Sequence, residues 1–511
     1  MTVGRKIYLG VISGAVFTTI SVVIGFVQFR LIMDFLPKEL VGIWFLFLSF
    51  GAYIAYFDLG ISPTISREVG FITGRTQLDE EGRDREISDL FATCLRIFQI
   101  LALIVFFLGF VLGGLFLWRV APAGNHKEIG IAWVVFTFGA SINILGGAWF
   151  ATLYGLGYVV TERILRGFTQ ILGLALSALF LYFGYGIIGL SVAWVLQGVI
   201  VRAAGWITLH RKYPVLKSIQ GKASKALFKK IAIPSLKMAA TGLGAILILQ
   251  TDNIVIASVL GPAAIPPYEA VAKLANHCFG LSILIISSST PFLSKLYAAG
   301  DIEGVRNLTL KNVRYSMAFM TLTVSFLALF GDRAIHIWLG KGNFIGFPVL
   351  WVFLAMLTLE VHHNILGSAT MATGRIVFYW IALGAGLLNI VLTLILVKHL
   401  GLLGVALGTL FAQMLTNNWY VTLVSLRLFK IPLIDYLKKT VIPLGLVFLI
   451  MLVVNKGICL LVDPLSELTG LILAFFISAL LGLFLVGIVI LSKQERQKIF
   501  VKLSFWRPSF D

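Results

Sequence analysis

The chain is 511 residues long, 59% of them apolar and only 13% charged, against about 45–50% and about 25% in ordinary globular proteins. With a mean hydropathy of +0.96, a water-soluble protein and a disordered one are both excluded. The 41 basic and 23 acidic residues leave a net charge of +18; they gather in short strips between apolar runs, which marks membrane topology and not nucleic-acid binding.

A hydrocarbon core about 30 Å thick takes about 20 apolar residues per helix, and runs of that length predict fourteen spans, an all-α polytopic membrane protein. In chain order they lie near 8–33, 41–63, 93–117, 129–150, 164–184, 187–207, 231–260, 268–293, 313–332, 346–370, 374–397, 402–427, 440–462 and 467–491. The first run is too long for a cleaved signal peptide, and Arg30, Asp34, Phe35 and Leu36 follow where small cleavage-site residues would stand. Loops expected inside carry Arg5 and Lys6, Arg67 to Arg85, Arg163 and Arg166, Arg211 to Lys230, Lys295 to Arg314, Arg375, Arg427 to Lys439 and a tail from Lys493 to Arg507. The alternate loops carry few: Lys38, Arg119, Lys127, Arg333, Lys341 and Lys398. This bias predicts that both termini are cytoplasmic. The alternate loops are too short for a soluble domain, and the longest polar segment, Thr73–Asp89, is long enough for a surface helix. Cys94, Cys278 and Cys459 stand alone, without metal-ligand spacing.

Landmarks recur at an offset of about 215–228 residues. Phe35-Leu36-Pro37 ends span 1 as Val259-Leu260-Gly261-Pro262 ends span 7. Span 2 exits through Pro63-Thr64-Ile65-Ser66-Arg67 and span 8 through Pro291-Phe292-Leu293-Ser294-Lys295. Span 6 opens with Gly186-Ile187-Ile188-Gly189-Leu190 and span 12 with Gly401-Leu402-Leu403-Gly404-Val405. The duplication predicts an N-lobe of six spans (1–210), a C-lobe of six (211–430), and two appended spans with a basic tail (431–511). Six is even, so the copies enter the membrane from the same side as a parallel repeat; transporters built this way bind between their lobes and work by alternating access.

An ionisable side chain in hydrocarbon costs from about 2.5 kcal/mol upward, so each is a candidate functional group. Arg30 pairs with Asp34 one turn on, snorkels to the interface, or faces a cavity as an anion hook. Gln28 lies near the mirror position of Gln250 and Asp252. Asp252, beside Asn253, is too deep in span 7 to snorkel. Glu269, Lys273 and Asn276 share one face of span 8; an Asp252–Lys273 ion pair and a substrate- or ion-linked role are both open. Glu360, His362 and His363 interrupt span 10 and are spaced to relay protons, with no third ligand for a metal. Asn389, Gln413, Asn417 and Asn418 read as interhelical hydrogen-bonding groups. Asp58, followed by Gly60 and Pro63, marks either a helix kink or an ion site. Arg67 and Lys295 are mirror mates at the inner mouth, either topology anchors or phosphate ligands of a gate. With no P-loop, dinucleotide fingerprint, HExxH or nucleophile elbow, the sequence predicts a transporter, not an enzyme, with no bound cofactor.

The cation-bearing duplicated six-span units, the two trailing spans, and Phe57-Asp58-Leu59-Gly60-Ile61 with Arg67 after span 2 carry a resemblance. Over nearly its whole length the chain resembles the polysaccharide transporter family, the Wzx-type oligosaccharide flippases of the multidrug/oligosaccharidyl-lipid/polysaccharide (MOP) superfamily. The resemblance implies a V-shaped pair of bundles in a bacterial or archaeal cytoplasmic membrane. Its cargo would be a polyprenyl-pyrophosphate-linked sugar repeat, flipped from the inner to the outer leaflet for O-antigen, capsule or exopolysaccharide synthesis. It implies a cationic cavity at Arg30 and Lys273, joined by Arg67 and Lys295. Asp252, Asn253, Glu269, Asn276, Gln28, Asp58 and Glu360 are then the polar or ion-coupling candidates, with H+ or Na+ as coupling ion. Expected partners are membrane lipids, a glycan polymerase and glycosyltransferases. The likeness to peptidoglycan-precursor flippases is looser, because their first span carries an arginine where this chain reads Gly25-Phe26-Val27-Gln28.

Three rival readings have distinct signatures. A cation-coupled multidrug antiporter of the same superfamily calls for a carboxylate in the first lobe and an acidic cavity, where span 1 offers Arg30. A membrane polymerase or ligase calls for a sizeable outer loop, which this sequence lacks. A non-transporting scaffold would tolerate replacement of its buried charges.

Overall fold

A computed structural model describes residues 3–58, 60–75, 79–218, 221–375 and 377–497. Leu59 and the basic tail beyond 497 lie outside them. The described chain is helical and contains no strand, as hydrocarbon requires: only a helix or a closed barrel satisfies every backbone N–H and C=O there.

In chain order the helices of nine residues or more are α1 (Val3–Phe35), α2 (Lys38–Ala55), α3 (Ile61–Gly74), α4 (Glu80–Leu108), α5 (His126–Leu145), α6 (Gly147–Gly155), α7 (Val159–Tyr182), α8 (Gly186–Lys212) and α9 (Lys225–Val259). They continue as α10 (Ile265–Ser282), α11 (Leu284–Ala298), α12 (Ile302–Leu339), α13 (Phe347–Met371), α14 (Tyr379–Leu415), α15 (Asn417–Leu428), α16 (Ile442–Val462) and α17 (Glu467–Val489). Twelve segments among the described residues are long and apolar enough to cross a membrane. The count differs from fourteen for two reasons. The 33-residue α1 comes in addition to the twelve, and one of the twelve, Tyr379–Leu428, doubles back on itself.

That reversal lies at Gly401, whose φ of 57° and ψ of −135° break α14. A Cβ on Gly404 would stand 2.2 Å from the Leu396 carbonyl oxygen, and one on Gly408 2.6 Å from Thr393 Oγ1. The two arms therefore run back along each other in near-contact. The matching landmark behaves alike: Gly186 has φ 54°, and a Cβ on Gly189 would lie 2.8 Å from that of Phe180. Glycine enters this backbone region without the steric cost other residues meet. The polar segment before span 3 is an extension of that span. Asp79 caps α4 by accepting from the Gly82 N–H at 2.9 Å, and the helix runs unbroken from Glu80 into the apolar run.

The helices form two units. The first holds the described residues up to Pro266 with Ala382–Gly408; the second holds Pro267–Ile381 and the described residues from Thr409 onward. In the first, α5 and α7 pack on α8, and α1 packs on α7. Phe29, Trp44, Phe47, Trp133 and Phe136 fill the interior. Helices α2 and α9 lie together, stitched by Asn253 Nδ2 donating to Ser49 Oγ at 2.9 Å and by the Tyr53–Thr251 hydroxyl pair at 2.6 Å. In the second unit, the 38-residue α12 packs on α13 and α16, and α16 on α17. Phe330, Ile458, Val462 and Ala474 form their shared core, with Arg333 paired to Asp463 at its edge.

The Gly401 hairpin yields a prediction. Gly404→Val drives side-chain atoms into the Leu396 carbonyl, and such overpacking costs about 1–3 kcal/mol. The purified protein should melt several degrees lower in detergent; an unchanged melting temperature would contradict the close approach.

Candidate functional site

Two spans of the first unit are interrupted, and a cavity lies beside both breaks. Helix α2 ends at Ala55, a 3-10 turn covers Tyr56–Asp58, and α3 starts after Gly60 with φ 71°. Asp58 Oδ1 accepts from the Ser62 backbone N–H at 3.1 Å and from its hydroxyl at 3.0 Å, satisfying a donor in the first turn of α3 that has no helical partner. The second break falls at Gly146, between α5 and α6. Irregular backbone at membrane depth is tolerated where it lines a cavity rather than lipid.

The cavity measures about 530 Å³, and Asp58, Asn143, Arg166, Trp194, Gln197 and Arg202 are among its walls. Arg202 projects from α8 at the Gly146 break. Its Nε and Nη2 donate to the Asn143 carbonyl oxygen at 3.2 and 3.0 Å, and its guanidinium lies 5.5 Å from the centre of the Phe150 ring. Arg166, on α7, lies over the same ring at 5.0 Å and pairs with Glu162 one turn earlier. Among the described residues no carboxylate forms an ion pair with Arg202. Glycines make the room: a Cβ on Gly146 would meet Arg202 Cδ at 2.3 Å, and one on Gly173 the Gln197 side-chain oxygen at 2.5 Å.

A second cavity of about 580 Å³ shares Ser62, Gly147 and Arg166 with the first and adds Arg67, Tyr154 and Glu162. Arg166 thus borders both. Arg67 sits 3.6 Å from Glu68, whose other oxygen is 2.6 Å from Lys230 Nζ. The electrostatic balance is lopsided. Taking a guanidinium out of water costs several kcal/mol, a cation–π contact returns about 0.5–2 kcal/mol, and a carbonyl is a dipole, not a counter-charge. Among the described residues Arg202 is therefore a part-buried cation at the cavity wall with no counter-charge of its own.

Of the residues singled out by sequence, the structure brings Asp58 and Arg67 to these cavities. Asp58 occupies a helix break. Arg30, on α1, pairs with Asp34 at 2.8 Å, both side chains about half exposed. Gln28 is partly buried on the same helix. Asp252 lies on α9 between Thr251 and Asn253, the two residues tied to α2. Glu269, Lys273 and Asn276 lie on α10 in the second unit, with Asn276 exposed, and Lys295 is exposed on α11. Glu360 reaches His363 Nδ1 at 3.5 Å on α13, while His362 Nε2 lies 2.5 Å from the Tyr436 hydroxyl. Asn389, Gln413, Asn417 and Asn418 are buried. No group of His, Cys, Asp and Glu suited to a metal forms among the described residues.

Sequence reasoning missed Arg202 and undervalued Arg166. The signal for Arg202 was present, since an arginine lies inside the run 187–207. Arg166 read as a loop charge because the apolar run starts at 164, whereas α7 begins at Val159.

A family of polysaccharide biosynthesis proteins matches residues 162–342, a stretch containing Arg166 and Arg202. The uncharacterized membrane protein EpsK of Bacillus subtilis (strain 168) is 25% identical over 243 residues, 45% of this chain and 45% of that protein. The match thus spans less than half the length of that relative. Among solved structures, the lipid II flippase MurJ in an inward closed conformation superimposes with a TM-score of 0.68 at 16% identity, over 96% of this chain and 99% of that one. An inward-facing multidrug resistance MATE family transporter of the MOP superfamily gives 0.65 at 17% identity, over 81% and 94%. The fold is that of these transporters.

If Arg202 serves an anion and not the fold, removing its charge will not cost stability. Arg202→Met should leave the melting temperature unchanged or raise it, since replacing a part-buried charge that has no counter-charge with an apolar group removes a desolvation cost. A fall of several degrees would assign Arg202 a structural role.

Proposed function

We propose that this chain, a polysaccharide flippase of the MOP superfamily, moves polyprenyl-pyrophosphate-linked oligosaccharide from the inner to the outer leaflet of the cytoplasmic membrane by alternating access. The observation that supports this best is the arginine pair at the Phe150 ring, one member of which has no carboxylate partner among the described residues. A guanidinium presents a planar fork of donors that matches phosphate oxygens two at a time, with charge-assisted bonds about twice as strong as neutral ones. A diphosphate headgroup cannot cross hydrocarbon with its water stripped away. Arg202 and Arg166 replace that hydration inside the bundle.

The two arginines play different parts in this reading. Arg202, fixed by the Asn143 carbonyl and the ring, is a standing positive charge. Arg166 is about half exposed and holds Glu162 across one helical turn, so it exchanges one anion for another at little cost. Arg67 at the mouth of the second cavity gathers the approaching headgroup. Arg30, Lys273 and Lys295 belong to the same proposal as further cations on the route. Asp252, Glu269 and Glu360 are its candidate carriers of a coupling proton or sodium ion. Glycosyltransferases would supply the substrate and a glycan polymerase would consume it. The basic loops favour both termini in the cytoplasm. A multidrug antiporter for cationic drugs is disfavoured, because two arginines in the cavity repel such cargo.

Proteoliposomes containing fluorescent polyprenyl-diphosphate oligosaccharide test the proposal. The wild type should transfer it between leaflets, and Arg166→Ala/Arg202→Ala should slow transfer at least tenfold while still inserting. Transfer at the wild-type rate by the double variant, or none by the wild type, would overturn the reading.

A further inference from the structure

We infer that the first-unit cavity also reads the sugar next to the diphosphate: Trp194, Gln197, Asn143 and Asp58 form a carbohydrate subsite beside Arg166 and Arg202. This rests on the flippase reading above.

The inference starts from hydrogen-bonding groups in the cavity wall that the protein itself does not use. Trp194 Nε1 is a buried donor with no acceptor, although a buried indole N–H ordinarily finds one. The side-chain amides of Gln197 and Asn143 each carry two donors and an acceptor oxygen, yet neither makes a hydrogen bond among the described residues; Asn143 contributes only its backbone carbonyl, to Arg202. Asp58 spends Oδ1 on Ser62 and leaves Oδ2 uncommitted. Thr169, by contrast, is already satisfied, its hydroxyl donating to the Leu165 carbonyl at 2.6 Å, so polar residues here are not idle as a rule.

Space has been made for these groups. A Cβ on Gly173 would lie 2.5 Å from the Gln197 oxygen, and one on Gly198 2.7 Å from the Asn143 oxygen. Two helices give up a side chain where an amide stands. Keeping unpaired polar groups inside a bundle lowers stability unless a ligand completes them.

The chemistry of the set selects the ligand. A diphosphate satisfies the arginines but offers nothing to two amide oxygens or a carboxylate, and a lipid tail satisfies none of the four. A cationic drug would suit Asp58 and be repelled by Arg166 and Arg202. A sugar ring presents several hydroxyls, each both donor and acceptor, and so complements carboxylate, amides and indole together. Asp58 makes no ion pair with either arginine among the described residues. At about 530 Å³ the cavity falls inside the range of about 300–1,000 Å³ typical of ligand sites.

Binding of two probes to the purified full-length protein, measured by calorimetry, tests the subsite: farnesyl diphosphate, and farnesyl diphosphate carrying a disaccharide. The wild type should bind the glycosylated probe at least tenfold more tightly. Trp194→Phe and Gln197→Leu should each lower that affinity about three- to tenfold, the worth of one hydrogen bond, while binding of farnesyl diphosphate stays within twofold. The unchanged binding of farnesyl diphosphate also shows that each variant is folded. Equal wild-type affinity for the two probes, unchanged glycosylated-probe affinity in both variants, or parallel loss for both probes would overturn the subsite and leave the diphosphate reading intact. A wild type that binds neither probe would bring down both.

Discussion

A guanidinium inside an apolar helical bundle has to be answered by something, and in this protein the answer is incomplete. Part-buried at the cavity wall, Arg202 receives one carbonyl and the face of one ring, and neither is a counter-charge. That shortfall organises the first unit. Helix α5 breaks from α6 at Gly146 where Arg202 passes, Gly146 leaves the space its side chain fills, and Arg166 lies over the same aromatic ring. The cavity is thus a consequence of placing charge where lipid cannot be tolerated.

The broken spans serve the same end. A continuous helix keeps its carbonyls and N–H groups to itself, whereas a break releases them. The Asn143 carbonyl goes to Arg202, and the first turn of α3 takes Asp58 as its acceptor. The result is a polar interior within a unit whose outer surface is largely Leu, Ile, Val and Phe. In the second unit Glu360 with His363, and His362 with Tyr436, make a separate polar cluster on α13, so each unit carries its own ionisable groups.

Much of this architecture was legible from hydrophobicity alone. Apolar runs of about 20 residues located the helices because hydrocarbon leaves a spanning chain few alternatives. Gly186 and Gly401 marked two reversals because few other residues take that backbone conformation. The cavity was harder to see. Helix α8 is apolar on nearly all sides, so periodicity does not say whether Arg202 faces lipid, a neighbour or a void. Arg166 was masked by the apolar criterion itself, which starts α7 some five residues late and leaves the arginine looking like part of a loop. The unused amides of Gln197 and Asn143 were invisible for a related reason: their lack of partners is a property of the three-dimensional packing around Gly173 and Gly198. Arg30 drew attention as a charge in hydrocarbon, and its geometry is an ion pair with Asp34 one turn away.

The fold is shared by flippases and drug transporters, so it does not choose between their cargoes; the sign and arrangement of charge inside the cavity bear on that choice. The most direct measurement is an experimental structure of the protein with a polyprenyl-diphosphate-linked oligosaccharide. The account predicts phosphate density within about 3.2 Å of the Arg166 and Arg202 guanidinium nitrogens, with Glu162 released from Arg166. Headgroup density elsewhere, with the cavity empty and the Arg166–Glu162 pair intact, would contradict it.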